Sequence, residues 1–287
     1  MSLDNVSAMV TTHVDDLALT SSQDWLDHHY NLFLGKFKKV TRQTLPFSHC
    51  GCNYADTPTG FSIDQIEFVE KMKPAPVPSR PDDSKLEPHE ISDFRSILGA
   101  LLWITATRLD VIADVSVLQS RVTTATVNEI KLANEVLVKA KQHKEAMLHY
   151  RQFESNKHRL VCVHDASAAN SGRHYAQEGI LIFLMDDAWF GNINSEVEYD
   201  ATTVQQHGGT AHLLHAHGGK AKRISYSTSH AETLSMVNGL ESTVLILIRL
   251  SEMMHTSNSP TIKELTAIQE SGNPLLQCDF VMDCKDL

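Results

Sequence analysis

Residues 73–84 read KPAPVPSRPDDS, with prolines at 74, 76, 78 and 81. Each proline fixes φ and has no amide hydrogen to donate. Each also biases the residue before it towards extended backbone. Neither a helix nor an interior strand can run through such a stretch. The chain is therefore forced into separate pieces on either side of it. Its 287 residues suffice for roughly two domains and for a sizeable core.

The two sides have different grammar. Upstream, AMVTTHVDDLALT (8–20) has two β-rich halves around Asp15 and Asp16 and predicts a hairpin. SSQDWLDHHYNLFLGKF (21–37) spaces Trp25, Leu26, Tyr30 and Phe33 as a helix does. TLPFSHCGCNYADTPTGFSIDQ (44–65) is extended around turn signals. Downstream, residues 89–150 read as helical. Ile91, Phe94, Ile97, Leu98, Leu101 and Leu102 share one face. A second helix covers DVIADVSVLQSRV, and a third starts at Thr126, where Glu129 completes a capping box. From residue 158 the pattern changes again. RLVCVHDAS, EGILIFLMDD and AHLLHAHG read as antiparallel strands. SHAETLSMVNGLESTVLILIRLSEMM is a long amphipathic helix, and LQCDFVMDCKDL is a fourth strand. Three strands, a crossover helix and a returning strand predict an α/β (α+β) fold with a mixed sheet, the first and fourth strands being parallel neighbours.

Bulk properties exclude several classes. The net charge of −10 argues against a nonspecific nucleic-acid coat protein. The basic runs KFKK (36–39), KAKQHK (139–144) and KAKR (220–223) read first as solvated faces. The five cysteines have no framework spacing, which favours a reducing, intracellular setting, cytoplasmic or nuclear. Cys50 and Cys52 read as alternating strand residues. The start has no signal-peptide pattern. The greasiest run, TVLILIRL (243–250), falls short of the ~20 residues a membrane span needs, so no membrane is expected.

Two sets of carboxylates are candidates for chemistry. Asp15 and Asp16 sit side by side in an apolar hairpin, where uncompensated charge is costly and a cation such as Mg²⁺ or Mn²⁺ is the natural partner. A type I′ turn with acidic residues explains them equally well. The second set is Asp165 at the end of one strand, Glu232 in the first turn of the long helix, and Asp283 after the last strand. A crossover brings these three to one sheet edge, where divalent metal relieves their repulsion. Two such ions clamp the attacking water and the leaving oxygen of a phosphodiester. Taken singly, Glu232 fits a capping box with Ser229, Asp165 a turn cap, and Asp283 a solvated end. The histidines of QQHGGTAHLLHAHGGK (His207, His212, His215, His217) make a zinc site conceivable, but no cysteine or carboxylate completes a set. Outward-facing strand residues are the simpler reading.

The order of these blocks resembles the C-terminal half of a copia-type retrotransposon Pol polyprotein. HVDDLALT is similar to the aromatic-x-Asp-Asp polymerase motif, with His13 in the aromatic position. FRSILGALLWITATRLDVIADVSVLQSRV resembles the block after the palm, with Leu109 in place of a proline. VCVHDAS, ISYSTSHAETLSMVNGL and FVMDCKDL resemble the first strand, the glutamate-bearing helix and the next strand of ribonuclease H. The resemblance implies a reverse transcriptase palm fragment at 1–73. A proline-rich linker with a helical thumb or connection follows at 74–157, and a C-terminally truncated ribonuclease H-like domain at 158–287. It implies that Asp15, Asp16, Asp165, Glu232 and Asp283 are catalytic ligands of Mg²⁺ or Mn²⁺. The implied partners are an RNA–DNA hybrid or primed RNA template and an upstream segment carrying the fingers and the rest of the palm. The implied activities are RNA-directed DNA synthesis and hydrolysis of the hybrid's RNA strand. For this chain, absence of polymerase activity is expected. The alternative is a noncatalytic nucleic-acid-binding or structural remnant.

Overall fold

A computed structural model of the chain describes residues 7–37, 39–154, 157–167, 175–186, 210–221, 223–254, 261–271 and 276–282. The chain opens with the predicted hairpin, β1 (Ala8–His13) and β2 (Asp16–Ser21), followed by α1 (Gln23–Lys36). Ser22 caps α1 by accepting from the Trp25 amide. This opening segment is thinly packed: α1 buries no residue, and β1 is almost wholly exposed.

Three strands follow: β3 (Phe47–His49), β4 (Cys52–Thr57) and β5 (Gly60–Asp64). Cys50 and Gly51, with φ of 50° and 71°, make the tight turn between β3 and β4. Two successive positive φ values are what a type I′ hairpin requires. Cys50 is therefore a turn residue, and C-x-C is not a run of alternating strand positions. The short α2 (Ile66–Lys71) leads into the proline stretch.

That stretch forms neither helix nor strand, as its prolines dictate, and bends at 79–80 and turns at 82–83, but it is packed. The Asn134 side chain accepts from the Ala75 amide at 2.8 Å and donates to the Ala75 carbonyl at 2.9 Å. Ala75 and Leu86 are buried in the same core as helices α3 (Pro88–Ile104), α4 (Ile112–Ser120) and α5 (Val127–Gln142). The apolar face predicted for α3 is the one it buries, except that Leu102 is exposed. The capping box of Thr126 and Glu129 forms as predicted.

Helix α5 ends at Gln142, and β6 (Leu148–Arg151) follows. The helix expected to run to residue 150 therefore stops short, and four strand residues are too few to show a period in sequence. β6 pairs antiparallel with β5, Gly60 opposite Arg151 and Ile63 opposite Leu148. A strand from beyond the prolines thus completes a sheet begun before them, in the order β3-β4-β5-β6.

The third sheet has the order β10-β7-β8-β9. β7 (His158–Ser167), β8 (Gln177–Asp186) and β9 (Ala211–Lys220) are antiparallel, and β10 (Gln277–Val281) runs parallel to β7. This is the predicted mixed sheet with its crossover. The long helix α6 (Thr228–Met254) and the shorter α7 (Ile262–Glu270) lie between β9 and β10 in sequence. Helix α6 packs on the face carrying Leu160, Cys162, Ile180 and Ile182, with Leu247 among them. Gly239 lets it approach closely, since a Cβ there would lie 3.0 Å from Cys162 Sγ. Thr228–Ser251 is long and apolar enough to cross a membrane by length and composition, more than the short greasy run suggested. On the opposite face α4 meets β9, where a Cβ on Gly218 would lie 2.5 Å from Ile112 Cγ2.

Candidate functional site

Asp15 forms the β1–β2 turn with Val14, and Asp16 begins β2 opposite His13. Val14 has φ of 55° and Asp15 is not in the left-handed region, so the turn is not the type I′ turn that served as the plain alternative. Left-handed backbone is a strained setting for a β-branched residue. Both aspartates are exposed. His13 contacts the His49 ring edge-on at 6.4 Å. Among the described residues, no third histidine, cysteine or carboxylate joins the two aspartates at ligand distance.

The C-terminal set is assembled differently. Ser227 caps α6: its hydroxyl accepts from the His230 amide and its carbonyl from the Ala231 amide. The Ser229 carbonyl instead accepts from the Thr233 hydroxyl. Glu232 is therefore not the partner of a Ser229 capping box. Its carboxylate, 3% exposed, accepts from the Ala166 amide at 3.2 Å. Ala166 follows Asp165 directly, and Ser235 Oγ donates to the Asp165 carbonyl at 3.1 Å. Two bonds from α6 thus bracket Asp165.

Register shows where this happens. Strand amides lie in the plane of the sheet, so a carboxylate that accepts from one sits at the strand's edge. β8 pairs with β7 as far as Ser167, whereas the last described pair with β10 is Val163 opposite Val281. The edge at Ala166 is the one along which β10 runs. Asp165 is exposed between buried His164 and Ala166, as alternation requires. Asp283 lies outside the described residues.

Small residues hold this corner together. Ala166, Ala176, Ala221 and Ala231 form one buried cluster, and the Ala221 amide donates to the Ala176 carbonyl. The ends of β7 and β9 and the start of α6 meet there without side-chain bulk. His164 is 2% exposed, and neither ring nitrogen has a hydrogen-bond partner among the described residues. Burial pushes its pKa down, against the raising effect of the Asp165 charge.

Sequence reasoning missed Glu178. It is 6% exposed on β8, opposite Ala166. Its carboxylate accepts from Asn238 Nδ2 at 2.7 Å and lies 3.8 Å from His217 Nε2. The available signal was an acidic residue at an inward position of EGILIFL. The histidine run also proves less outward than its sequence suggested. An irregularity in the β8–β9 ladder between Ile182 and Phe183 leaves His217 opposite Ile180, His215 opposite Ile182 and His212 opposite Leu184. One inserted residue turns the uneven spacing H-x-x-H-x-H into three histidines on one face.

Glu87, His89 and Glu90 form the one group spaced for a metal among the described residues. It has a structural occupation already. Glu90 accepts from the Glu87 amide and from Arg80, and Glu87 also accepts from Arg80.

No family model matches the sequence, and no curated protein matches it. Among solved structures, a foamy viral protease–reverse transcriptase in complex with an RNA/DNA hybrid superposes with a TM-score of 0.51 at 14% identity. The alignment covers 97% of this chain and 36% of that one. The two share a fold. This chain spans about a third of the neighbour's length.

Proposed function

We propose that residues 158–287 form a ribonuclease H-type module that hydrolyses the RNA strand of an RNA–DNA hybrid. Within that type, the order of motifs favours descent from a copia-type Pol polyprotein. The observation that carries the reading is the reach of Glu232 from α6 to the amide beside Asp165, at the edge along which β10 runs. A buried carboxylate is a costly arrangement that a divalent cation relieves. Asp165, Glu232 and Asp283 are the residues that would hold Mg²⁺ or Mn²⁺. Bound there, the ions would supply an activated water and stabilise the leaving oxygen. Helix α6 presents Glu232 and fixes the backbone of Asp165.

Asp15 and Asp16 are proposed as the polymerase metal pair of the same ancestral protein. The weight of the proposal stays on the nuclease, because the hairpin gathers no third ligand among the described residues.

The test is cleavage of a labelled hybrid by the full chain in Mg²⁺ and in Mn²⁺. Activity that disappears in Asp165→Asn, Glu232→Gln and Asp283→Asn supports the assignment. Cleavage that survives any of these, with fold intact by circular dichroism, means the site is misassigned. Hybrid binding without cleavage in either metal would favour the noncatalytic remnant.

A further inference from the structure

Helix α6 distributes its side chains unusually for a helix packed on a sheet. The row that it buries, taken every fourth residue, is Ala231, Ser235, Gly239, Thr243, Leu247 and Ser251. Apart from Leu247 these residues are small, which lets the helix lie close to β7. Two residues further on, about 200° round the helix, runs the opposite row: Val237, Glu241, Leu245, Arg249 and Met253. Every member of it is exposed, Leu245 by 67%. Leu240 and Val244 flank this row and are exposed as well. Larger apolar side chains thus face away from the sheet, where a contiguous patch marks an interaction surface. The exposed row also has a definite order: apolar, acid, apolar, base, apolar. Read backwards it is its own complement, with Leu245 at the centre. Glu241 and Arg249 are about 12 Å apart along the axis, with Leu245 between them, too far to pair with each other directly.

We infer that α6 is the interface of a homodimer, in which this row packs antiparallel against the same row of a second copy. A two-fold axis beside Leu245 sets Glu241 of each copy opposite Arg249 of the other, and Val237 opposite Met253. Such an interface is isologous, as in the commonest homo-oligomers. Rows spaced by four are the ridges that interlock in the commonest helix packing, with axes crossing at about 50°. A parallel pairing would instead set Glu241 against Glu241. Lipid is a poorer occupant, although Thr228–Ser251 has the length and hydropathy of a span. Glu241 and Arg249 interrupt the exposed apolar row, and a bilayer interior penalises both charges. A second copy neutralises them. The inference does not depend on the nuclease reading.

Sedimentation velocity of the full chain over a range of concentrations is the test, and a monomer–dimer equilibrium is expected. Leu245→Asp should abolish the dimer. Glu241→Arg and Arg249→Glu should each weaken it by about tenfold or more, because each sets like charges together twice. The double variant E241R/R249E restores complementarity and should regain the parent's affinity. An equimolar mixture of the two single variants should do the same by forming the mixed dimer. All three positions are exposed, and circular dichroism checks that each variant keeps its fold. A chain that stays monomeric throughout, or a dimer indifferent to these substitutions, would overturn the inference. So would single-variant defects that neither the double variant nor the mixture repairs. Flotation with phosphatidylcholine vesicles that Leu245→Asp abolishes would assign the face to lipid and overturn it too.

Discussion

Among the described residues, Arg108 is the largest side chain that the fold buries almost completely. Its guanidinium forks onto both oxygens of Asp110 at 2.8 and 2.7 Å and donates to the Ala140 carbonyl at 2.7 Å. Burial works to raise the Asp110 carboxyl, but the Arg108 fork outweighs it and the net shift is downward. The T-R-x-D run that resembles a family motif therefore has a structural role: it ties the start of α4 to the end of α5. Arg108→Ala should destabilise the chain by about 3 kcal/mol, the low end for breaking a buried pair, because Asp110 keeps part of its hydration. Arg108→Lys should recover only part of that, since an ammonium cannot reproduce the fork. Urea midpoints of the two variants check both statements. Glu129 gives a pH prediction. Burial works to raise its carboxyl, yet the Thr126 hydroxyl and amide and Arg121 more than offset this and lower it. A group depressed on folding stabilises above its unfolded value of about 4.3. That contribution disappears as pH falls through the lower folded value. Glu129→Gln should therefore lose stability at neutral pH and show a flatter decline below about pH 4 than the parent, read from melting temperature against pH.

At the scale of elements, the joints between sheets and helices depend on glycines where another element comes close. Gly218 receives Ile112 of α4. Gly218→Ala should cost about 1–3 kcal/mol by overpacking, and Ile112→Ala in the same chain should recover much of it. A double-mutant cycle on denaturation midpoints with no coupling between the two would refute that contact. Gly60 faces a harder limit, because a Cβ there would lie 1.9 Å from the Tyr150 carbonyl oxygen. Gly60→Ala should detach β6 from β5. The lysines of KAKQHK, read as a solvated face, are likewise joints. Lys141 donates to the Glu70 and Met72 carbonyls, Lys144 pairs with Glu70, and Lys139 with Asp114. A charge run in sequence carries no information about which carbonyls lie across from it, so this use was not legible.

Across the whole molecule, burial is uneven. Helices α2 to α5 share one core, and the β7–β8 face with α6 forms another. The β1–β2 hairpin and α1 contribute to neither, with Val14, Leu32 and Phe37 exposed. Native-state hydrogen exchange should show the amides of β1, β2 and α1 exchanging first and those of α3, α5, β7 and β8 last. Equal protection throughout would contradict this order. The sequence alone determined most of the elements and much of their order. Proline chemistry marked the break at 73–84, helical periodicity found α3, α5 and α6, and the crossover rule placed β10 parallel to β7. These properties are local, or follow from chain handedness. What the tertiary structure alone decided is which distant residues meet. β6 returning to β5, Asn134 clasping Ala75, Glu232 at the Ala166 amide rather than at Ser229, and Glu178 beside His217 all depend on tertiary packing or register. A strand's register is set by the whole packed face, and one residue's slip would send every side chain to the other side.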